Sequence, residues 1–549
     1  MSDAGAINES GMGVEDAGAT SPFAAPVAPR NKFEGLLDRF SDWINPILVK
    51  ESRQALKSRQ FLFTFQLLLL ASWVWSLLGI ALRSPGIFYV PGGRFMLIGY
   101  FLILNLPLMI IIPFAAFRSL AAEREDGTYE LLSISTLKPR QIIGGKLGSS
   151  LLQIIIYLSV LAPCMAFTYL LKGVDILLVL SVVFWTGLSS WLLCTLGLLL
   201  ATLTRERHWQ IVLSVMFILF LGVLCLYSSI GYSVMIGQSV AIPFNEPEFW
   251  VGVLCTLTGV FSVATLSLLS ASARITNRSE NRSTPLRIAV LTVHILGAVW
   301  AARYALKFPE DSEAPMFVYL VLASLFCALV GGMMTGEDSL LSPRARRGLP
   351  KTQLGRILLT LFFPGPGTGY LFTVAMAIMV TMVVGGIALI TSPLRGGVAL
   401  TGNHEEAFNG AWVLSAYIVI YVGLNRLLLR RLAKTTLVGP MLGVVSLVIL
   451  VMIGTIFPLI IQFSLQHYML GGDDYTLMQL PNVFWTTVEV VDGDLRGGMV
   501  AFGIPGVNGA CLLLSGVAAF VFLLNLLTLS KSLVVTRTAT PERVKQDDA

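Results

Sequence analysis

Runs of about 20 apolar residues recur along this chain, and each is long enough to cross the roughly 30 Å hydrocarbon layer of a bilayer as a helix. Twelve such runs can be placed, near 61–82, 95–117, 147–171, 176–203, 210–234, 249–272, 288–306, 314–333, 370–392, 411–429, 438–462 and 507–529. With 55% of its 549 residues hydrophobic and 13% charged, the chain could not cover a water-facing surface. A soluble enzyme and a disordered protein are both excluded. The expected fold is all-α and polytopic, with about twelve transmembrane helices in two six-span halves.

The basic residues set the sidedness. With the N-terminus in the cytoplasm, 31 of the 38 Lys and Arg fall in segments on that side. Only Arg83, Arg94, Lys172, Arg303, Lys307, Arg395 and Arg496 fall outside. That asymmetry follows the positive-inside rule and predicts that both termini are cytoplasmic. The net charge of +6 then reads as loops facing anionic lipid, not as a nucleic-acid footprint.

The chain divides into four expected parts. Residues 1–30 are small and polar and predict a disordered cytoplasmic tail without a signal peptide. A six-span domain covers 31–275 and a second covers 276–530, with 531–549 as a cytoplasmic tail. Ahead of the first span, Phe33, Leu36, Leu37, Phe40, Trp43 and Ile44 recur at helical spacing among charged residues, predicting an amphipathic helix at the membrane surface. Residues 357–369, broken by Pro364, Pro366 and three glycines, predict an interfacial or re-entrant approach to the ninth span. The longest outside loop, 463–506, carries Asp473, Asp474, Trp485, Glu489, Asp492 and Asp494 and is long enough for a small cap.

Catalytic signatures are absent from the sequence. No phosphate loop is present, since GGKLGSS at 144–150 has the wrong spacing, and neither HExxH nor GxSxG occurs. The six cysteines all lie in apolar runs without metal-ligand spacing, so no metal site is expected. Of the four histidines, His294 falls within a span and reads as a packing residue, while His404–Glu405–Glu406 reads as a solvated outside turn. Arg303 lies near the outer end of the same span as His294 and can snorkel. With so few ionisable groups in mid-membrane, a carrier driven by its own ion relay is disfavoured.

Two basic-side segments carry a family resemblance. The first, NPILVKESRQALKSRQ at 45–60, precedes the first span. The second, FRSLAAEREDGTYELLSISTLKPRQIIGGKL at 117–147, comes after the second span. Together they resemble the ABC-2 type permeases of ATP-binding-cassette transporters, over about residues 30–275. The resemblance implies an interfacial connecting helix bearing Asn45, Pro46, Lys50, Glu51, Arg53 and Arg59. It also implies an ATPase-coupling loop in 118–146 through Glu123, Glu125, Gly127, Thr128, Tyr129, Glu130, Leu131, Leu132, Pro139 and Arg140, with Lys146 starting the third span. By its own chemistry, Thr128 can cap a short helix from Tyr129 whose apolar face, with Leu131 and Leu132, suits docking in a partner's groove or on lipid headgroups. The resemblance favours the docking reading.

The expected function is that of a non-enzymatic permease subunit in a cytoplasmic (inner) membrane, exporting its substrate. ATP would be used by a separate ATPase subunit, and this chain would bind no cofactor and no nucleic acid. The alternatives are an ATPase-independent secondary carrier, or a membrane scaffold or lipid-linked-substrate protein acting through loop 463–506. The second half matches no named family. Its MTGEDSLLSPRARRGLPKTQLGRI at 334–357 repeats the order acidic residue, Leu-Leu, Pro-Arg, basic span start, but lacks the Gly-Thr-x-Glu core. Either two chains pair as a homodimer, the arrangement the degenerate loop favours, or the two halves face each other in one chain.

Overall fold

The computed structural model describes residues 45–84, 86, 91–125, 138–203, 207–238, 242–276, 280–337, 352, 359–394, 403–434, 439–468, 475–492, 500–501 and 504–529. The amphipathic stretch at 33–44, both termini and residues 126–137 lie outside the described residues, as do Asp473, Asp474 and Asp494.

Among the described residues, 12 helices are long and apolar enough to span a membrane, so the protein is an all-α, multi-pass membrane protein. A short helix α1 (Pro46–Lys57) comes first. The first six spans are α2 (Arg59–Arg83), the pair α3 (Gly93–Leu106) and α4 (Ile112–Glu125), then α5 (Pro139–Leu170), α6 (Ile176–Ala201), α7 (Arg207–Gly237) and α8 (Pro247–Ile275). A π-helical turn, Pro107–Ile111, joins α3 to α4 inside the second span. The remaining six are α9 (Ser283–Lys307), α10 (Glu313–Thr335), α11 (Pro366–Leu394), α12 (Asn403–Leu432), α13 (Pro440–Tyr468) and α15 (Val507–Leu529). Between the last two lie α14 (Val483–Val491) and a two-residue antiparallel pairing, β1 (Val500–Ala501) with β2 (Ile504–Pro505).

Local chemistry sets these boundaries. Pro46 and Pro139 occupy first-turn positions, where a missing N–H costs nothing. Asn45 Oδ1 accepts from the Ile47 N–H at 3.1 Å, capping α1. Ser58 ends α1, donating to the Ala55 carbonyl at 2.7 Å. It also starts α2, accepting from the Phe61 N–H at 3.1 Å. One extended residue thus separates the short helix from the first span. Gly173, at φ +85°, makes the tight turn between the third and fourth spans.

Burial is uneven in the way a bilayer solvent allows. The second span and α12 are central, with 61% and 72% of their apolar windows buried by protein. The fifth span, α7, is only 11% buried and shows Trp209, Met216, Leu219, Leu226 and Tyr227 to the surroundings. Exposed apolar side chains are expected where the solvent is lipid. The buried residues fall into two clusters. One runs from Leu68 to Ile275 and the other from Val290 to Ala518. The two halves pack along the sixth and seventh spans, α8 against α9. At one end of that seam Glu248 meets Arg303 at 3.4 Å and Lys307 at 3.1 Å.

Candidate functional site

Lys146 organises a buried polar point of the first half. Its side chain is 2% exposed, and its ammonium lies 3.1 Å from Glu51 Oε1 on α1 and 3.0 Å from Glu123 Oε1 at the end of α4. It also donates to the Ser119 carbonyl at 3.2 Å. An ammonium has three protons to give, and here all three have acceptors. Three elements far apart in sequence are therefore tied at one cation.

The glycines around Lys146 explain why α1 can come so close. A Cβ on Gly145 would lie 2.7 Å from Ile47 Cγ2, and one on Gly148 would lie 2.8 Å from Leu48 Cδ1. The GGKLG stretch is thus a flat bed for the apolar side of α1, with Ile47 buried on it. Asn45 adds a bond from its Nδ2 to the Gln141 carbonyl at 2.5 Å. Lys50, Arg53 and Lys57 remain on the exposed side of α1.

Of the expected connecting-helix residues, Asn45, Pro46, Lys50, Glu51 and Arg53 fall on or cap α1, while Arg59 begins α2. Of the expected coupling-loop residues, Glu123 joins the Lys146 clamp, and Pro139 and Arg140 open α5. Glu125 closes α4. Gly127, Thr128, Tyr129, Glu130, Leu131 and Leu132 lie outside the described residues.

A second clamp, which sequence reasoning missed, sits in the other half. Arg287, fully buried near the start of α9, pairs with Glu337 Oε2 at 2.7 Å just past α10. Its guanidinium also donates to the Leu361 carbonyl at 2.7 Å, to Thr368 Oγ1 at 3.1 Å and to the Gly365 carbonyl at 3.2 Å. Glu337 Oε2 further accepts from the Gly365 N–H at 3.1 Å. Gly365 has φ +142°, a conformation open to glycine. The PGPGTG run is therefore a wrap around an arginine, and the ninth span begins inside it at Pro366. The available signal is an arginine at the start of a span whose neighbour is followed by an acidic pair, Glu337 and Asp338. In sequence it is masked by the other basic residues of the loop before it.

A third buried cation, Arg426 on α12, donates to Asn525 Oδ1 at 2.8 Å and to the Asn525 carbonyl at 3.1 Å on α15. Asn425 beside it donates to Thr335 Oγ1 at 3.1 Å and accepts from Ser446 Oγ at 2.6 Å. The spans thus hold more buried ionisable groups than the sequence suggests, and these cations are partnered.

At the opposite end, the 463–506 region folds in part onto α12 and α13. Gln479 is buried and donates from Nε2 to the Pro458 carbonyl at 3.0 Å and to Gln462 Oε1 at 2.8 Å. Asn482 donates to Gln479 Oε1 at 3.1 Å, and Tyr475 bonds Thr486 Oγ1 at 2.8 Å. Burial pushes the Tyr475 hydroxyl up to about 12, so it stays neutral. Glu489 accepts from Trp485 Nε1 at 2.8 Å.

His404 departs from the sequence expectation of a solvated turn. It is a buried residue in the first turn of α12, bonded to Ser312 Oγ at 2.9 Å and Thr391 Oγ1 at 3.3 Å. The two acids after it suggest solvent, but His404 itself faces the bundle. His294 is also buried, 3.4 Å from the Tyr319 hydroxyl. Among the described residues no group of three or more His, Cys, Asp or Glu is arranged to hold a metal ion. Comparisons with protein families, with curated proteins and with solved structures return no match.

Proposed function

We propose that this chain is the membrane permease subunit of an ATP-driven transporter of ABC-2 type, exporting its substrate and coupled to a separate ATPase through segment 118–146. The observation that carries the reading is the Lys146 clamp. It fixes the surface helix α1, the end of the second span and the start of the third span to one another. A force applied to the segment between α4 and α5 would reach both spans and α1 together, as a rigid-body transition requires. The basic side of α1, with Lys50, Arg53 and Lys57, fits a helix lying against anionic headgroups on the cytoplasmic side of an inner membrane. Chemistry on ATP belongs to the partner in this reading.

The test is co-purification of the tagged chain from its native cells in mild detergent, followed by an ATP hydrolysis assay on the complex. An ATPase is expected to travel with the chain, and its hydrolysis to lose dependence on the permease when Glu130 and Leu132 are replaced by bulky mismatched residues. Purification of an intact chain with no ATPase, together with transport that persists without ATP, would sink the proposal.

A further inference from the structure

The two halves pack their spans in the same order. In the first half, the first span meets the second and third, the second meets the third, fourth and fifth, the third meets the fourth, and the fourth meets the fifth and sixth. In the second half, the seventh meets the eighth and ninth, and the eighth meets the ninth, tenth and eleventh. The ninth then meets the tenth, and the tenth meets the eleventh and twelfth. Every one of these pairings recurs six spans later. The third-with-sixth packing of the first half is the one without a comparable counterpart.

A clamped acid at the end of the second span of each half recurs as well. Glu123 lies at the end of the second span and Glu337 just past the eighth, and each meets a buried cation, Lys146 from the third span of the first half and Arg287 from the first span of the second half. Six spans separate the two sites, so both lie at the same face of the bundle. The order acidic residue, Leu-Leu, Pro-Arg runs on from each clamp acid in sequence, through Glu123 and Glu337. A chance likeness of two helical bundles would not be expected to repeat pairing order, the place of the clamped acid and sequence order together.

We infer that residues 283–529 are a second copy of the six-span unit of 59–275, and that one chain therefore engages two ATPase subunits, one at each clamp. The inference rests on the proposed function above for the nature of the partner. It replaces the homodimer that the degenerate second loop suggests with a chain that supplies both membrane halves itself.

Native mass spectrometry of the complex purified with its ATPase decides the matter. One copy of this chain with two ATPase subunits is the expected mass. Two copies with two ATPases, or one with one, would overturn the inference and leave the proposed function standing. A chain free of ATPase would remove both. Single variants sharpen the reading, with gel filtration checking that each still folds. Glu123→Gln and Glu337→Gln are each expected to leave one ATPase bound, a twofold drop in the ratio. A Glu337→Gln chain that folds, as judged by gel filtration, yet keeps its full ATPase complement would overturn the second engagement site.

Discussion

The two clamps solve different problems with similar parts. Lys146 joins elements that the chain keeps apart, the short helix α1 and two spans, through a point charge that both carboxylates share. Arg287 joins a span to the loop that starts the ninth span, through a planar fork that reaches carbonyls as well as Glu337. An ammonium tolerates changes of angle between its partners, whereas a guanidinium specifies them. The first clamp therefore allows α1 and the span ends to shift while remaining attached. The second holds its loop in one shape.

Removing the arginine is the severest way to test that contrast. Arg287→Ala leaves Glu337 beside a loop built around a missing cation, and breaking such a buried pair costs about 3–5 kcal/mol. Thermal unfolding in detergent should show the loss, and Arg287→Lys should recover only a minor part of it. For Lys146 the contrast predicts the reverse. Lys146→Arg should keep most of the stability, while Lys146→Ala loses much of it. Equal tolerance of both exchanges would erase the distinction between the clamps.

These residues also mark where the sequence is readable. The spans are legible because a 20-residue apolar run has few other uses, and Lys146 is legible as the basic start of a span. Its partners are not, since Glu51 lies 95 residues away and only the fold brings it near. Arg287 is hidden by its neighbours in a basic stretch, and the prolines and glycines of PGPGTG show a break before the ninth span without showing which side chain it wraps. His404 is misleading in sequence because the helix that buries it begins one residue earlier, at Asn403.

A smaller effect probes the bed beneath α1. Gly145→Val would place a branched side chain against Ile47, and overpacking of this kind costs about 1–3 kcal/mol. The contrast predicts that α1 lifts away while the spans stay folded. Protease sensitivity near Ser58 should then rise ahead of any fall in the main melting transition. The corresponding change in the second half, Gly367→Val against Leu529 and Arg426, presses on spans and should lower the main transition itself.

The smallest expected effect is at the opposite face. Tyr475→Phe removes the hydroxyl that bonds Thr486, worth about 0.5–1.5 kcal/mol. It should loosen the 475–492 cap, read as faster amide exchange there, with both clamps unchanged.

The π-helical turn at Pro107–Ile111 puts two attachments of the second span in phase. Above it, Asn105 is buried and donates to Ser228 and Ser229 on α7, at 2.8 and 2.9 Å. Below it, Glu123 meets Lys146. A π turn carries one residue beyond the α-helical count, and one residue is about 100° of rotation on a helix of 3.6 residues per turn. The span is therefore cogged, with its upper and lower stretches facing partners that a straight α-helix of this sequence could not face together. Deleting a single residue between Leu108 and Ile110 would leave every side chain of both attachments in place and set them out of step. The span would then have to choose between α7 and Lys146.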